Sequence, residues 1–198
     1  MTKEHGRMKP LIEKVWDSLN SICNQLKGKT SILFREEAYS EFEKHFIYCY
    51  DTFLHDFMTE ETEELDEHKQ AAVIVISAIK SNAIQQSVES NEIALAPYAI
   101  ALNVGLSFLL DRINERLLAV GKEKIEVFQL PCPIACNTPY FESLCRVLYY
   151  ENSNEGKSGI SYSMSLNMVE LADRFFLLEY ILLLNNGINP LILKNKSV

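Results

Sequence analysis

The chain has 198 residues, 47% of them hydrophobic and 10% aromatic, with only 7 Gly and 6 Pro. That length and composition predict one packed domain and exclude a disordered or disulfide-scaffold protein. The formal net charge of -8, without a dense Lys/Arg cluster, argues against nucleic acid or an anionic membrane as a partner, because both are held by positive surfaces that release counterions.

Residues 1–9 read as a flexible polar tail, with no apolar core or small-residue cleavage site of a signal peptide. Leu11, Ile12, Val15, Leu19, Ile22, Cys23 and Leu26 then recur at helical spacing up to a stop at Gly28. Thr30 to Phe34 is a short apolar linker or buried loop. From Glu36 to Met58, Tyr39, Phe42, Phe46, Cys49, Tyr50, Phe53 and Phe57 form an aromatic stripe of period 3.6, the pattern of a core-facing helix. An acidic connector, Thr59 to Glu64, leads into a third helix over Leu65 to Ala83, where its carboxylates suit the N-terminal end of the dipole.

Asn91 or Ser90 could cap the next helix, and Pro97 suits its first turn. Tyr98 to Leu110 is apolar nearly all round and rich in small residues, which predicts a buried, closely packed helix ending at Gly121. Ile125 to Leu130 and Ile160 to Met164 alternate with period two and are expected to pair as a small hairpin. Thr138-Pro139 opens a helix to about Glu151, and Asn152 to Gly159 reads as an exposed loop. The last helix, Ser165 to Asn185, is apolar apart from few charges, is expected against the third and fourth, and ends at Gly187. Pro190 prevents its resumption, and 194–198 is a second flexible end. The fold class expected is therefore all-α, a single bundle of about six helices over 1–198 with at most a minor two-stranded β element.

Five cysteines, Cys23, Cys49, Cys132, Cys136 and Cys145, have neither the density nor the spacing of a disulfide framework and fit reduced thiols in a cytoplasm. No apolar run reaches the roughly 20 residues of a membrane span. Cys132-x3-Cys136 lacks a neighbouring histidine or a second close pair, so a small hydrophobic role is preferred to zinc. There is no cofactor-binding fingerprint: Glu155-Gly156-Lys157-Ser158-Gly159 lacks the first glycine of a phosphate loop at its required spacing.

Two sets of residues remain as candidates for metal or catalysis. His45 and Cys49 are one helical turn apart and could converge on a metal, with His68 or Cys23 as a third ligand. His55-Asp56 invites comparison with the dipeptide of HD-type metal phosphohydrolases, but His45 lies about 16 Å along the same helix from Asp56, too far to share an ion. The candidate catalytic residues are Asp66, His68, Lys69, Lys80, Asp111 and Glu179, ionisable groups at the mouth of, or inside, apolar helices. On a helical wheel His68 shares a face with Ala71, Ala72, Val75 and Ile79. Asp66, Lys69, Gln70, Val73, Ser77 and Lys80 form an opposite strip whose bland explanation is an exposed edge. Glu170 and Arg174 make an i,i+4 pair, whereas Glu179 has no cation one turn away and is expected to reach Lys80 or Arg112. The functional expectation is a binding or accessory protein acting through a protein partner or self-association; the competing class is a helical hydrolase, with or without a metal.

Overall fold

The computed structural model describes residues 3–26, 32–57, 66–81, 83–86, 96–125 and 160–194. The elements are α1 (Lys3–Leu26), β1 (Ile32–Phe34), a 3-10 turn (Glu36–Ala38), α2 (Tyr39–Phe57), α3 (Glu67–Lys80), β2 (Ile84–Gln86), α4 (Ala96–Ala119), α5 (Ile160–Asn185) and a one-turn α6 (Leu191–Lys194). The all-α expectation holds. Among the described residues, no helix is long and apolar enough to cross a membrane.

α3 is the axis of the bundle. Ala71 to Ala78 are all buried, so α2, α4 and α5 enclose this helix on every side. Three alanines keep it slim, and Val73, Ile74, Val75 and Ile76 fill the gaps between its neighbours. The strip through Val73 and Ser77 is therefore no exposed edge: both residues are completely buried. α2 presents Phe42, Phe46, Cys49 and Phe53 to the core at the predicted spacing, and α1 presents Met8, Ile12, Val15, Leu19 and Cys23. Trp16 ties α1 to α2 and β1 through Phe34, Tyr39 and Phe42, with ring centroids 4.6, 5.2 and 5.4 Å away.

Several local expectations are corrected. α1 starts at Lys3, so 3–9 is helical; Pro10 is exposed and removes only its own N–H bond, and the neighbouring bonds carry the helix past it. Ile160 to Met164 is the first part of α5, and Ile125 lies outside any strand. Five alternating residues ahead of a long apolar run extend a helix through local hydrogen bonds, whereas a strand must first close a loop onto a partner. The two-stranded element forms elsewhere, β1 antiparallel to β2 with Phe34 opposite Ile84 and Ile32 opposite Gln86. Pro190 does not end helical structure but precedes α6, whose Leu191 N–H donates to Asn189 Oδ1 at 3.0 Å. Gly28, the 59–64 connector, the 138–151 helix, the 152–159 loop, and Cys132, Cys136 and Cys145 lie outside the described residues.

Gly121 and Gly187 close α4 and α5 as predicted. Their φ values of 71° and 69° let Lys122 and Ile188 N–H donate to Leu117 and Leu183 carbonyls, each at 2.9 Å. Gly105 serves a different purpose. A β-carbon there would stand 2.6 Å from Val75 Cγ2 and 3.0 Å from Phe175, so α4 crosses α3 and α5 at a distance only glycine permits. Gly105→Val should therefore lower the urea midpoint by the equivalent of about 2–3 kcal/mol, overpacking outweighing the gain from removing a mid-helix glycine. An unchanged midpoint would mean that the crossing is not this close.

Candidate functional site

α3 opens on a hydrogen-bonded cap. Asp66 Oδ1 accepts from Lys69 N–H at 2.9 Å, and Glu67 adds a negative charge in the first turn, where the helix dipole favours it. The next residue, His68, is a poor choice for that position if protonated, because the dipole there repels a cation. Its neighbours reverse the balance. Nε2 bonds Glu179 Oε2 of α5, and Nδ1 faces Asp66 Oδ1 at 3.7 Å.

Glu179 is the most informative residue in the chain, a carboxylate 8% exposed within the otherwise apolar run Phe175 to Leu184 of α5. Besides His68 it receives Arg116 of α4, whose Nη2 donates to Oε1 at 2.8 Å. The same Nη2 lies 2.9 Å from Glu67 Oε2, close enough for ion pairing but without hydrogen-bond geometry. Three carboxylates and two cations thus join α3, α4 and α5.

Burial would lower the His68 pKa, but the hydrogen bonds and charges of Asp66 and Glu179 outweigh it and raise the group to about 9. Burial alone would also raise Asp66 and Glu179. Asp66 is instead brought down to about 2 by His68 and the Lys69 N–H, and Glu179 is lowered by His68 and Arg116. Glu67 moves up, because burial and the charge of Glu179 exceed the pull of Arg116 and the lesser contributions of His68 and Arg112. At neutral pH His68 is consequently an imidazolium held between carboxylates, an ion-pair partner rather than a free base.

Of the candidate catalytic residues, the fold gathers Asp66, His68, Lys69 and Glu179, and disperses the others. Lys69 Nζ lies 3.6 Å from Asp66. Lys80 sits in the last turn of α3, where its charge complements the dipole, about 18 Å along the helix from His68. Asp111 is exposed and bridges to Lys14 of α1 at 3.0 Å. Glu170 and Arg174 pair at 3.0 Å as expected, while Glu179 reaches Arg116 rather than Lys80 or Arg112. The metal candidates separate as well: His45 is exposed on α2, Cys49 is fully buried one turn on, and His68 is engaged elsewhere. Burial pushes the Cys23 thiol up to about 11 and raises Cys49, so neither is a ready thiolate. Among the described residues, no group of three His, Cys, Asp or Glu is arranged to hold a metal ion.

The cavity beside Glu179, walled by Leu106, Leu109, Leu110, Ile113, Leu178 and Leu182, has about 20 Å³, room for one water and far below a substrate pocket. The larger feature is on the outside of α5. Phe176, Leu177, Tyr180, Ile181 and Leu184 are 42, 51, 45, 46 and 51% exposed and fall at i, i+1, i+4, i+5 and i+8, a continuous apolar stripe. Its upper end touches the charged cluster, since Phe176 stands edge-on to His68 with centroids 5.3 Å apart. The opposite face of α5, through Met168, Leu171, Ala172, Phe175 and Leu183, is buried in the bundle. No protein-family model matches this chain, and neither the curated proteins nor the solved structures contain a match.

Arg116, Glu67 and the stripe escaped the sequence reading. The missing cation beside Glu179 was the available signal for a distant partner, but helical spacing identifies only neighbours on the same helix. The α5 residues looked like core because an apolar run does not say which of its faces is covered.

Two outcomes follow from the charged cluster. The raised His68 pKa contributes stability that is fully present below about pH 6.5 and lost as pH rises through about 9, while the lowered carboxylates lose theirs only as pH falls through their folded values. Urea unfolding should show stability declining by on the order of 1–3 kcal/mol between pH 6.5 and 9. The decline should vanish in His68→Gln, and its persistence there would assign it to another group. Glu179→Leu should cost at most about 3–5 kcal/mol by removing the carboxylate that half-buried His68 and Arg116 share, and the triple variant His68→Leu/Arg116→Met/Glu179→Leu should recover most of it. A triple variant no more stable than the single one would refute the ion-pair account.

Proposed function

We propose that this chain is a small binding or accessory protein that acts through protein contacts, and that the outer stripe of α5 makes them. The observation that carries this reading is the exposure of Phe176, Leu177, Tyr180, Ile181 and Leu184 together on one helix. Single exposed apolar residues are ordinary on any protein, but a contiguous patch of this kind marks an interaction surface. The stripe is rich in large aliphatic and aromatic side chains and lacks charge, the composition of an interface centre. A net charge of -8 favours a protein partner over nucleic acid or anionic lipid, and the free buried thiols of Cys23 and Cys49 fit a reducing cytoplasm.

The hydrolase alternative has less to stand on. Its candidate acids and bases are divided among α2, the two ends of α3, α4 and α5, and the four that do gather, Asp66, His68, Lys69 and Glu179, are neutralised within their own network. The cavity at that pair is too small for a substrate.

Site-specific photocrosslinking tests the binding reading. A photoreactive side chain at Leu177 or Leu184, irradiated in native cell extract or with the pure chain, should give discrete protein adducts, while the same group at exposed Glu36 gives none. Adding Leu177→Lys and Ile181→Lys to the Leu184-labelled chain should abolish them without unfolding it, since both positions are on the surface. Equal labelling from Leu184 and Glu36 would overturn the reading.

A further inference from the structure

We propose that the partner covering the α5 stripe is a second copy of this chain, with α5 packed against its counterpart across a two-fold axis. This inference rests on the binding reading above and adds the identity of the partner.

Size is the first argument. At exposures of 42 to 51%, the five residues display roughly 450 Å² of surface, taking about 200 Å² for each fully exposed. A standard interface covers about 800 Å² on each side, somewhat more than half of it apolar. The stripe thus supplies the apolar centre of one such interface and leaves the rim to flanking polar residues.

The second argument is its symmetry. Phe176, Tyr180 and Leu184 lie on one i+4 row, and Leu177 and Ile181 on the next. Two i+4 ridges interdigitate when helices cross at about -50°, the commonest packing class, and a two-fold axis gives both copies the same ridge. With the axis beside Tyr180 and Ile181, Phe176 and Leu177 cover Leu184 of the partner subunit, and the reverse.

Charge then selects the direction. From Phe175 to Leu193 the only charged residue is Glu179, which points inward, whereas Glu170, Asp173 and Arg174 cluster before the stripe. Helices running the same way would set exposed Asp173 beside its own copy. Running oppositely, the two Asp173 carboxylates lie at opposite ends of the contact, each beside a partner segment without a charged side chain, whose helix dipole opposes it less than a second carboxylate would. The chains still repel at long range through their net charge of -8 each, so association should tighten as salt screens that repulsion. A basic heterologous partner would show the opposite salt dependence.

Analytical ultracentrifugation of the full chain tests this together with a photoreactive group at Tyr180. The expected mass is twice 22.7 kDa, with a dimer dissociation constant that falls between 50 and 500 mM NaCl. Leu177→Lys/Ile181→Lys should weaken it at least a hundredfold while circular dichroism and the unfolding midpoint stay in place. Irradiation at Tyr180 should yield a covalent species of twice the mass, and at Asp173 none joined Asp173 to Asp173. A monomer that crosslinks through Tyr180 to a different protein in extract would overturn self-association and leave protein binding intact. A monomer that crosslinks to nothing would overturn both, and a dimer that survives the double lysine variant would overturn the placement on α5.

Discussion

A carboxylate inside an apolar helix cannot be left alone, and Glu179 sets the arrangement of the three helices around it. Its burial requires cations, and none lies one turn away on α5. His68 reaches it from the first turn of α3 and Arg116 from the second half of α4. Because each cation is itself bound to a carboxylate of the α3 N-terminus, moving one helix strands charges on the other two. The network therefore defines how α5 is positioned along α3 more sharply than apolar contact alone, which tolerates sliding.

The second constraint is the thinness of the α3 and α4 contact. Gly105 brings the α4 backbone against Ala71 and Val75, and Phe175 of α5 closes the same spot. Small residues at the crossing and Phe42, Phe46 and Phe53 on the other flank pack closely around α3. The space left beside the charged cluster is about 20 Å³, and a wider, open cleft of about 620 Å³ lies on the surface between α1 and Ser107 of α4. Elsewhere on the surface, α5 is unusual in being apolar on two faces, one used by the bundle and one turned outward. Phe176 links the features, touching His68 on one side and belonging to the exposed stripe on the other.

Helical periodicity made α2, the core of α1, α4 and most of α5 legible, and the glycine stops at 121 and 187 were read correctly because a left-handed C-terminal residue is a local requirement. Short extended segments were misplaced. Ile32 to Phe34 and Ile84 to Gln86 pair across the whole of α2 and α3, and three residues carry too little pattern to announce such a pairing. In the candidate site, the importance of His68 and the anomaly of Glu179 were visible, since an ionisable residue amid apolar ones is a local fact. Their meeting was not, and Lys80, expected as a partner of Glu179, sits at the far end of α3.

By itself, then, the sequence determined the all-α class, the core-facing stripes of α1 and α2 and the glycine stops of α4 and α5, because these depend on interactions between residues within a few positions of each other. Only the tertiary structure decided that Glu179 pairs with His68 and Arg116, that α3 is enclosed on all sides, and that one face of α5 stays outside. Those outcomes depend on contacts between residues up to 111 positions apart, which no periodicity encodes.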